Sequence, residues 1–279
     1  MERLSKSMRQ QWQEQGYLHL KNAIPRDEIS DYLEAADQLV SEHEGSDAKF
    51  RDAGAYVISQ ALFRTPGLDR LIDHSGVFGI ILDLMGPYLS VLGSEIYVRH
   101  PGDEQHGWHI DAGRSLGQIR VTPDSLPINF KIQFFLTDIP EKNNANFCLV
   151  PGSHRRLMPD QRGKRPGSNL GLGKENPPGA IQMIAEAGDC AVFPNTLWHA
   201  VSPNHSENVR RSFTLRYGQM WCRPFDYEKC PDEVLSRMTP RRRRMMGELG
   251  EGYEAVDYFK PKDQVDIIME GLDFECPNI

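Results

Sequence analysis

The sequence lacks any apolar run approaching the roughly 20 residues of a membrane-crossing helix. No membrane span and no membrane partner are therefore expected. It also lacks a basic excess: 32 Lys and Arg stand against 39 Asp and Glu, a net charge of −7 at pH 7. A nucleic-acid partner usually demands the opposite sign, so none is expected. The first residues, MERLSKSMRQQWQEQG, contain no apolar core of a secretory signal. Cysteine is sparse and odd in number (Cys148, Cys190, Cys222, Cys230 and Cys276), with no CxxC pair. That argues against a disulfide framework or cysteine-based zinc site and fits reduced thiols in a cytoplasmic protein. Histidine numbers nine in 279 residues, yet two histidines and an aspartate crowd into QHGWHID.

Apolar content is ordinary, and the length suits a single domain over residues 1–279. Residues 5–15 and 26–45 read as helices. In the second, Ile29, Leu33, Ala36, Leu39 and Val40 recur at helical spacing, and Asp27 and Glu28 sit in the first turn. GYLHLKN between them alternates like a short strand, and residues 67–86 read as one or two further helices. From residue 90 the texture changes to short strand-like runs separated by Gly, Pro, Asn and Asp, the pattern of a barrel or sandwich. The last fifty residues turn helical again around DEVLSRMTPRRRRMMGELG, whose arginine run reads as a solvated helix face. The fold class is thus mainly β with flanking helices. The stretch 155–179 is rich in Gly and Pro and lacks periodicity, as lids and mobile segments do. Its near end carries Arg155, Arg156, Arg162, Lys164 and Arg165 against Asp160, an excess that suits an anionic small-molecule substrate. A plain solvated loop is the alternative.

On a strand, residues i and i+2 face one side, about 6.6 Å apart at Cα. His109 and Asp111 can then share one ion, forming two thirds of a 2-His-1-carboxylate site with one octahedral face open. Alone, the pattern is weak and the pair reads first as a structural surface pair. A third ligand is needed downstream. His199 lies after a Gly-Asp turn, a short strand and a Pro-Asn turn; His154 competes but reads better as a turn histidine. His205 and Glu207 repeat the spacing, but no histidine follows them to complete a triad. Eleven residues after His199, VRRSFTLRYGQ alternates as a strand with Arg210, Ser212 and Thr214 on one face and Arg211 and Phe213 on the other. A guanidinium with a hydroxyl two positions on can grip a small carboxylate.

The order of WHID, FFLTDIPEKNNANFCLVPGSHRR and AGDCAVFPNTLWHAVSPNHSENVRRS, with QGYLHLKNAIPRDEISDYL upstream, resembles the phytanoyl-CoA dioxygenase family of Fe(II)/2-oxoglutarate oxygenases. The resemblance runs to about residue 221; the tail beyond 222 matches nothing assigned, and Asn144-Ala145 stands where the family commonly has Asn-Gly. It implies a double-stranded β-helix, a jelly-roll and cupin-like barrel with helices on one side. It implies iron held by His109, Asp111 and His199, and 2-oxoglutarate held at its distal carboxylate by Arg210 with Ser212. It further implies O2 as co-substrate and oxidation of a C–H bond of a small molecule, with succinate and CO2 as co-products. Relatives that halogenate replace the carboxylate ligand with a small residue, so Asp111 argues for hydroxylation or a related oxidation.

Alternation adds pocket candidates. In NFKIQFFL, Asn129, Lys131 and Gln133 share a face assigned to the barrel interior near 2-oxoglutarate; a solvated edge strand is the alternative. Arg99 is placed at the mouth of the site and Trp221 in the substrate pocket, while Trp108 and Ile110 point away and pack. Two rival classes stay open: a metal-binding jelly-roll barrel without turnover, and a metal-dependent hydrolase, which would have no use for Arg210. Substrate identity and oligomeric state are not legible in the sequence.

Overall fold

A computed structural model describes residues 1–43, 50–52, 55–111, 126–156, 175–250, 254–258 and 260–275. The chain opens with helix α1 (Lys6–Gln15), strand β1 (Leu18–Leu20) and helix α2 (Arg26–His43). Strands β2 (Phe50–Asp52) and β3 (Ala55–Ser59), the short helix α3 (Ala61–Arg64), a 3-10 segment (Pro66–Asp73) and α4 (Phe78–Met85) follow. The β-rich middle comprises β4 (Leu89–Arg99), β5 (His106–His109), β6 (Asn129–Phe135), β7 (Phe147–Leu149), β8 (Ile181–Gln182), β9 (Cys190–Pro194), β10 (His199–Val201) and β11 (Arg210–Gln219). The tail carries α5 (Asp232–Ser236), α6 (Pro240–Met245) and α7 (Gln264–Met269).

The strands form two antiparallel sheets, ordered β1-β9-β6-β11-β4-β3-β2 and β5-β10-β7-β8. Their inner faces meet: Phe135, Ala191 and Phe193 of the large sheet share an apolar cluster with Phe147 and Leu149 of the small one. The outer face of the large sheet is apolar on alternate residues, and Phe130, Ile132, Phe134, Phe213 and Leu215 pack there against the helices. Trp12 of α1 meets Phe130 edge-on at 6.1 Å, and Tyr217 donates to Ile72 O at 2.8 Å, tying the 3-10 segment to the sheet. Helices on one side of facing antiparallel sheets match the expected class.

Helix α1 shows how local sequence sets an element. Ser5 caps its start by accepting from Met8 N, and Gly16 ends it at φ 76°. A side chain at Gly16 would also collide with His154, whose Nδ1 lies 2.1 Å from the position a Cβ would take. The turn around His154 closes this helix end: Gly152 N donates to Gln15 O at 2.7 Å, and Arg155 Nη2 donates to Gln13 O. His154 is therefore a buried packing residue of a 3-10 turn, as its loop context predicts.

The arginine run of the tail departs from expectation. It is no solvated face. Arg241 and Arg242 pair with Asp73 at 3.3 and 2.6 Å, Arg243 with Glu248 at 2.7 Å, and the 4%-exposed Arg244 with Asp263 at 2.9 Å. The physical reason is distance along the chain for three of the four: Asp73 lies far off in sequence and Asp263 in a later segment, while only Glu248 is local. Asp226 also fastens the tail by accepting from Gln60 N and Ser94 N, both at 3.1 Å. Cys148, Cys190, Cys222 and Cys230 are free thiols; Cys276 lies outside the described residues. Among the described residues no helix is long and apolar enough to cross a membrane.

Candidate metal centre

Strands β5 and β10 are antiparallel neighbours in which His109 and His199 are direct register partners, with ring centroids 4.1 Å apart. Strand β5 ends at His109, so Asp111 lies two residues beyond it and not on the strand foreseen for the His-x-Asp pair. Asp111 still reaches the same side because its backbone N donates to Asn195 O at 2.9 Å. Trp108 and Ile110 point the other way into a small core with Cys148, Val150 and Ala200. One ligand atom each from His109, Asp111 and His199 lies within 4.8 Å of the others.

The second atoms of these groups are already committed. Nδ1 of His109 stands 2.9 Å from Gly107 O, and Nδ1 of His199 stands 2.9 Å from Leu197 O. A proton donated there puts the ring lone pair on Nε2, the arrangement metal-bound histidines show. Burial, and next the charge of His109, push His199 down to about 3, so it stands neutral and fit to ligate. Burial alone would raise the Asp111 carboxyl. Lys131 at 3.1 Å and Arg216 at 3.7 Å outweigh it and hold the group below the usual carboxylate range. Asp111 Oδ2 is buried yet accepts no hydrogen bond, because Lys131 stands outside hydrogen-bond geometry. A neutral His199, the His109 imidazole and one ionised carboxylate with an unsatisfied oxygen fit a divalent non-haem iron centre.

His109 and His199 border a cavity of about 260 Å3 between the sheets. Lys131, Gln133, Arg99 and Arg210 line it with the two histidines. Strand β6 is interior, between β9 and β11, so its polar face is the barrel lining and not a solvated edge. Arg210 is buried and donates from Nη1 to Ser212 Oγ at 2.8 Å; Gln133 Nε2 donates to the same oxygen at 3.0 Å. Arg211 faces outward and pairs with Asp37 of α2, which matches the strand alternation.

Three placements differ from the sequence reading. Arg99 is 1% exposed, deep in the wall and not at a mouth, because β4 runs on to residue 99 and buries it. Asn129 shares the face of Lys131 but not the cavity; it is buried opposite Gly218 at the far end of the ladder. Trp221 is 51% exposed beyond the end of β11 and does not line the cavity. Arg162, Lys164 and Arg165, with the central part of the expected lid, lie outside the described residues. The sequence reading missed Glu95 and Tyr97, which line the cavity, and Arg216, which neighbours Asp111. Glu95 and Tyr97 alternate with Arg99 along β4, so the rule that found Lys131 and Gln133 would have found them. Burial raises the Tyr97 hydroxyl, which donates to Glu95 Oε2 at 2.8 Å.

Comparison with known proteins agrees with this geometry. Among solved structures the fold resembles HygX from Streptomyces hygroscopicus with nickel and 2-oxoglutarate bound (TM-score 0.65, 18% identity, 80% of this chain and 90% of that one). It also resembles the non-heme alpha ketoglutarate dependent carbocyclase SnoK from nogalamycin biosynthesis (TM-score 0.62, 24% identity, 85% and 91%). These likenesses establish a jelly-roll fold of the double-stranded β-helix kind. Among curated proteins, dioxygenase cdmD of Talaromyces verruculosus is 28% identical over 53% of this chain and 45% of its own length. Dioxygenase andF of Emericella variicolor is 28% identical over 63% of this chain and 59% of its own. The matched region thus spans about half the length of these two relatives. The family model for phytanoyl-CoA dioxygenase matches residues 12–212, well over half of the chain, and the chain belongs to the phytanoyl-CoA dioxygenase family.

Proposed function

We propose that the protein is an Fe(II)- and 2-oxoglutarate-dependent dioxygenase that oxidises a C–H bond of a small molecule. The observation that carries this reading is the His109–Asp111–His199 cluster, opening onto a cavity whose wall holds the buried Arg210. When bound, iron with 2-oxoglutarate and O2 supplies the oxidant, with succinate and CO2 as co-products.

The chain's own residues do the rest. His109, Asp111 and His199 would hold the metal, a ligand set that can leave positions open to co-substrates. Lys131 keeps Asp111 ionised. Arg210 takes the distal carboxylate of 2-oxoglutarate, and Ser212, fixed by Gln133, keeps that guanidinium aimed. The burial of this wall keeps water from competing for the carboxylate, which strengthens each charge-assisted contact. A hydrolase would have no use for Arg210.

Anaerobic addition of Fe(II) and then 2-oxoglutarate should produce a weak visible charge-transfer absorption, and aerobic incubation should release succinate. Absence of both in protein shown to carry iron would overturn the reading. Screening small molecules for those that accelerate succinate release would then identify the substrate.

A further inference from the structure

Two arginines confront each other across the β4–β11 ladder. Arg99 and Arg210 are direct register partners, which sets their Cβ atoms about 5 Å apart. Both are buried, at 1% and 3% exposure. Like charges directly opposite each other on a ladder are destabilising, and more so away from water. Burial, and then the Arg99 charge, push Arg210 down to about 9.

Their hydrogen bonds are incomplete in a complementary way. Arg99 spends Nη2 on Glu104 O, and Asp103 Oδ2 stands 3.7 Å from its Nε. Nε and Nη1 are nevertheless buried without an acceptor. Arg210 spends Nη1 on Ser212 Oγ at 2.8 Å, while Nε and Nη2 are buried without an acceptor. Among the described residues no carboxylate forms an ion pair with Arg210. Both side chains line the cavity that holds the two histidines. Orphaned donors on buried cations are costly unless an anion completes them. Four nitrogens lack acceptors, and a single carboxylate offers about four lone-pair sites.

We propose that Arg99 is the second arm of the co-substrate grip, so that Arg99 and Arg210 together close on the distal carboxylate of a 2-oxo dicarboxylic acid. The proposal rests on the oxygenase reading above and assigns Arg99 to the co-substrate, not to the primary substrate. Its remaining donor keeps a structural duty. It holds the Glu104 carbonyl in the turn that leads into β5, so the grip and the strand bearing His109 share one side chain.

The test is equilibrium binding to the Fe(II)-loaded protein under anaerobic conditions, read by charge-transfer absorption and by calorimetry. The probes are 2-oxoglutarate and 2-oxobutyrate, which lacks the distal carboxylate. Arg99→Met should weaken 2-oxoglutarate binding by about ten- to a hundredfold, the usual worth of a charge-assisted contact, and weaken 2-oxobutyrate binding far less. Arg99→Lys should fall between, because it keeps the charge and loses the fork. Since Arg99→Met removes the Glu104 contact, guanidinium nitrogen resonances of the wild type serve as a check that needs no variant. Two arginine Nε signals should shift on adding 2-oxoglutarate, and Arg99→Lys should remove one. Wild-type affinity for 2-oxoglutarate in Arg99→Lys, with a single shifting arginine signal, would overturn the Arg99 assignment alone. Failure of the wild type itself to prefer 2-oxoglutarate over 2-oxobutyrate would overturn the oxygenase reading with it.

Discussion

The same three strands, β4, β6 and β11, present two unlike faces. Outward, Ile96, Val98, Phe130, Ile132, Phe134, Phe213 and Leu215 form a continuous apolar surface under the helices. Inward, Glu95, Tyr97, Arg99, Lys131, Gln133, Arg210 and Thr214 border the cavity. One backbone thus separates, at every second residue, groups that stabilise the fold from groups that await a ligand. The outer face gains free energy by leaving water. The inner face holds buried charge and unsatisfied donors, whose cost is recovered when co-substrates bind.

If that division is right, damage to each face should appear in different measurements. The largest effect on function should come from the metal cluster. His109→Ala, Asp111→Ala and His199→Ala should each abolish 2-oxoglutarate turnover and iron retention while the thermal midpoint of metal-free protein stays near that of the wild type. Normal iron content and turnover in His199→Ala would remove that residue from the centre.

The outer face should behave in the opposite sense. Phe134→Ala, at a position 1% exposed and stacked on Phe213 with centroids 6.0 Å apart, should cost about 3–5 kcal/mol in denaturant unfolding. The fraction still folded should bind 2-oxoglutarate normally.

Neighbouring arginines test the division one residue apart. Arg210→Ala should raise the 2-oxoglutarate KM by about ten- to a hundredfold. Arg211→Ala, which breaks the partly exposed pair with Asp37 and a long hydrogen bond to Val209 O, should cost about 1 kcal/mol of stability and leave the KM alone. A larger KM change at Arg211 would mean that the two faces are exchanged.

His154 bears on stability alone, and only through its pH dependence. It is a buried polar group with no ligand to meet. Burial, then the Arg155 charge, push it from 6.5 down to about 4. The unfolded chain therefore binds the extra proton between those values, and stability is lost as pH falls through that window. The loss is at most about 3 kcal/mol. His154→Gln should flatten the dependence of unfolding free energy between pH 6.5 and 4 without changing 2-oxoglutarate affinity.

What the sequence made legible follows from the same period of two. Alternation along β6 and β11 placed Lys131, Gln133, Arg210 and Ser212 inside and Arg211 outside, because interior strands keep strict alternation. It failed where strands end. Trp221 lies two residues beyond β11, where Cys222 N already donates back to Gln219 O in a turn and the face argument no longer holds. Asn129 keeps the correct face, but alternation says nothing about how far along a strand the cavity extends. The arginine run of α6 was misread for another reason. Its acceptors Asp73 and Asp263 are set by tertiary contacts that no local pattern encodes.

The direct opposition of His109 and His199 has a consequence for the assembly of the protein itself. The two residues lie on different strands of the small sheet, 90 positions apart in sequence, yet are partners in a single rung. A slip of one residue between β5 and β10 would turn His199 to the opposite side. An ion that demands both rings is therefore a proofreader of strand alignment: it binds only the correctly threaded sheet and, by mass action, draws misaligned chains toward it.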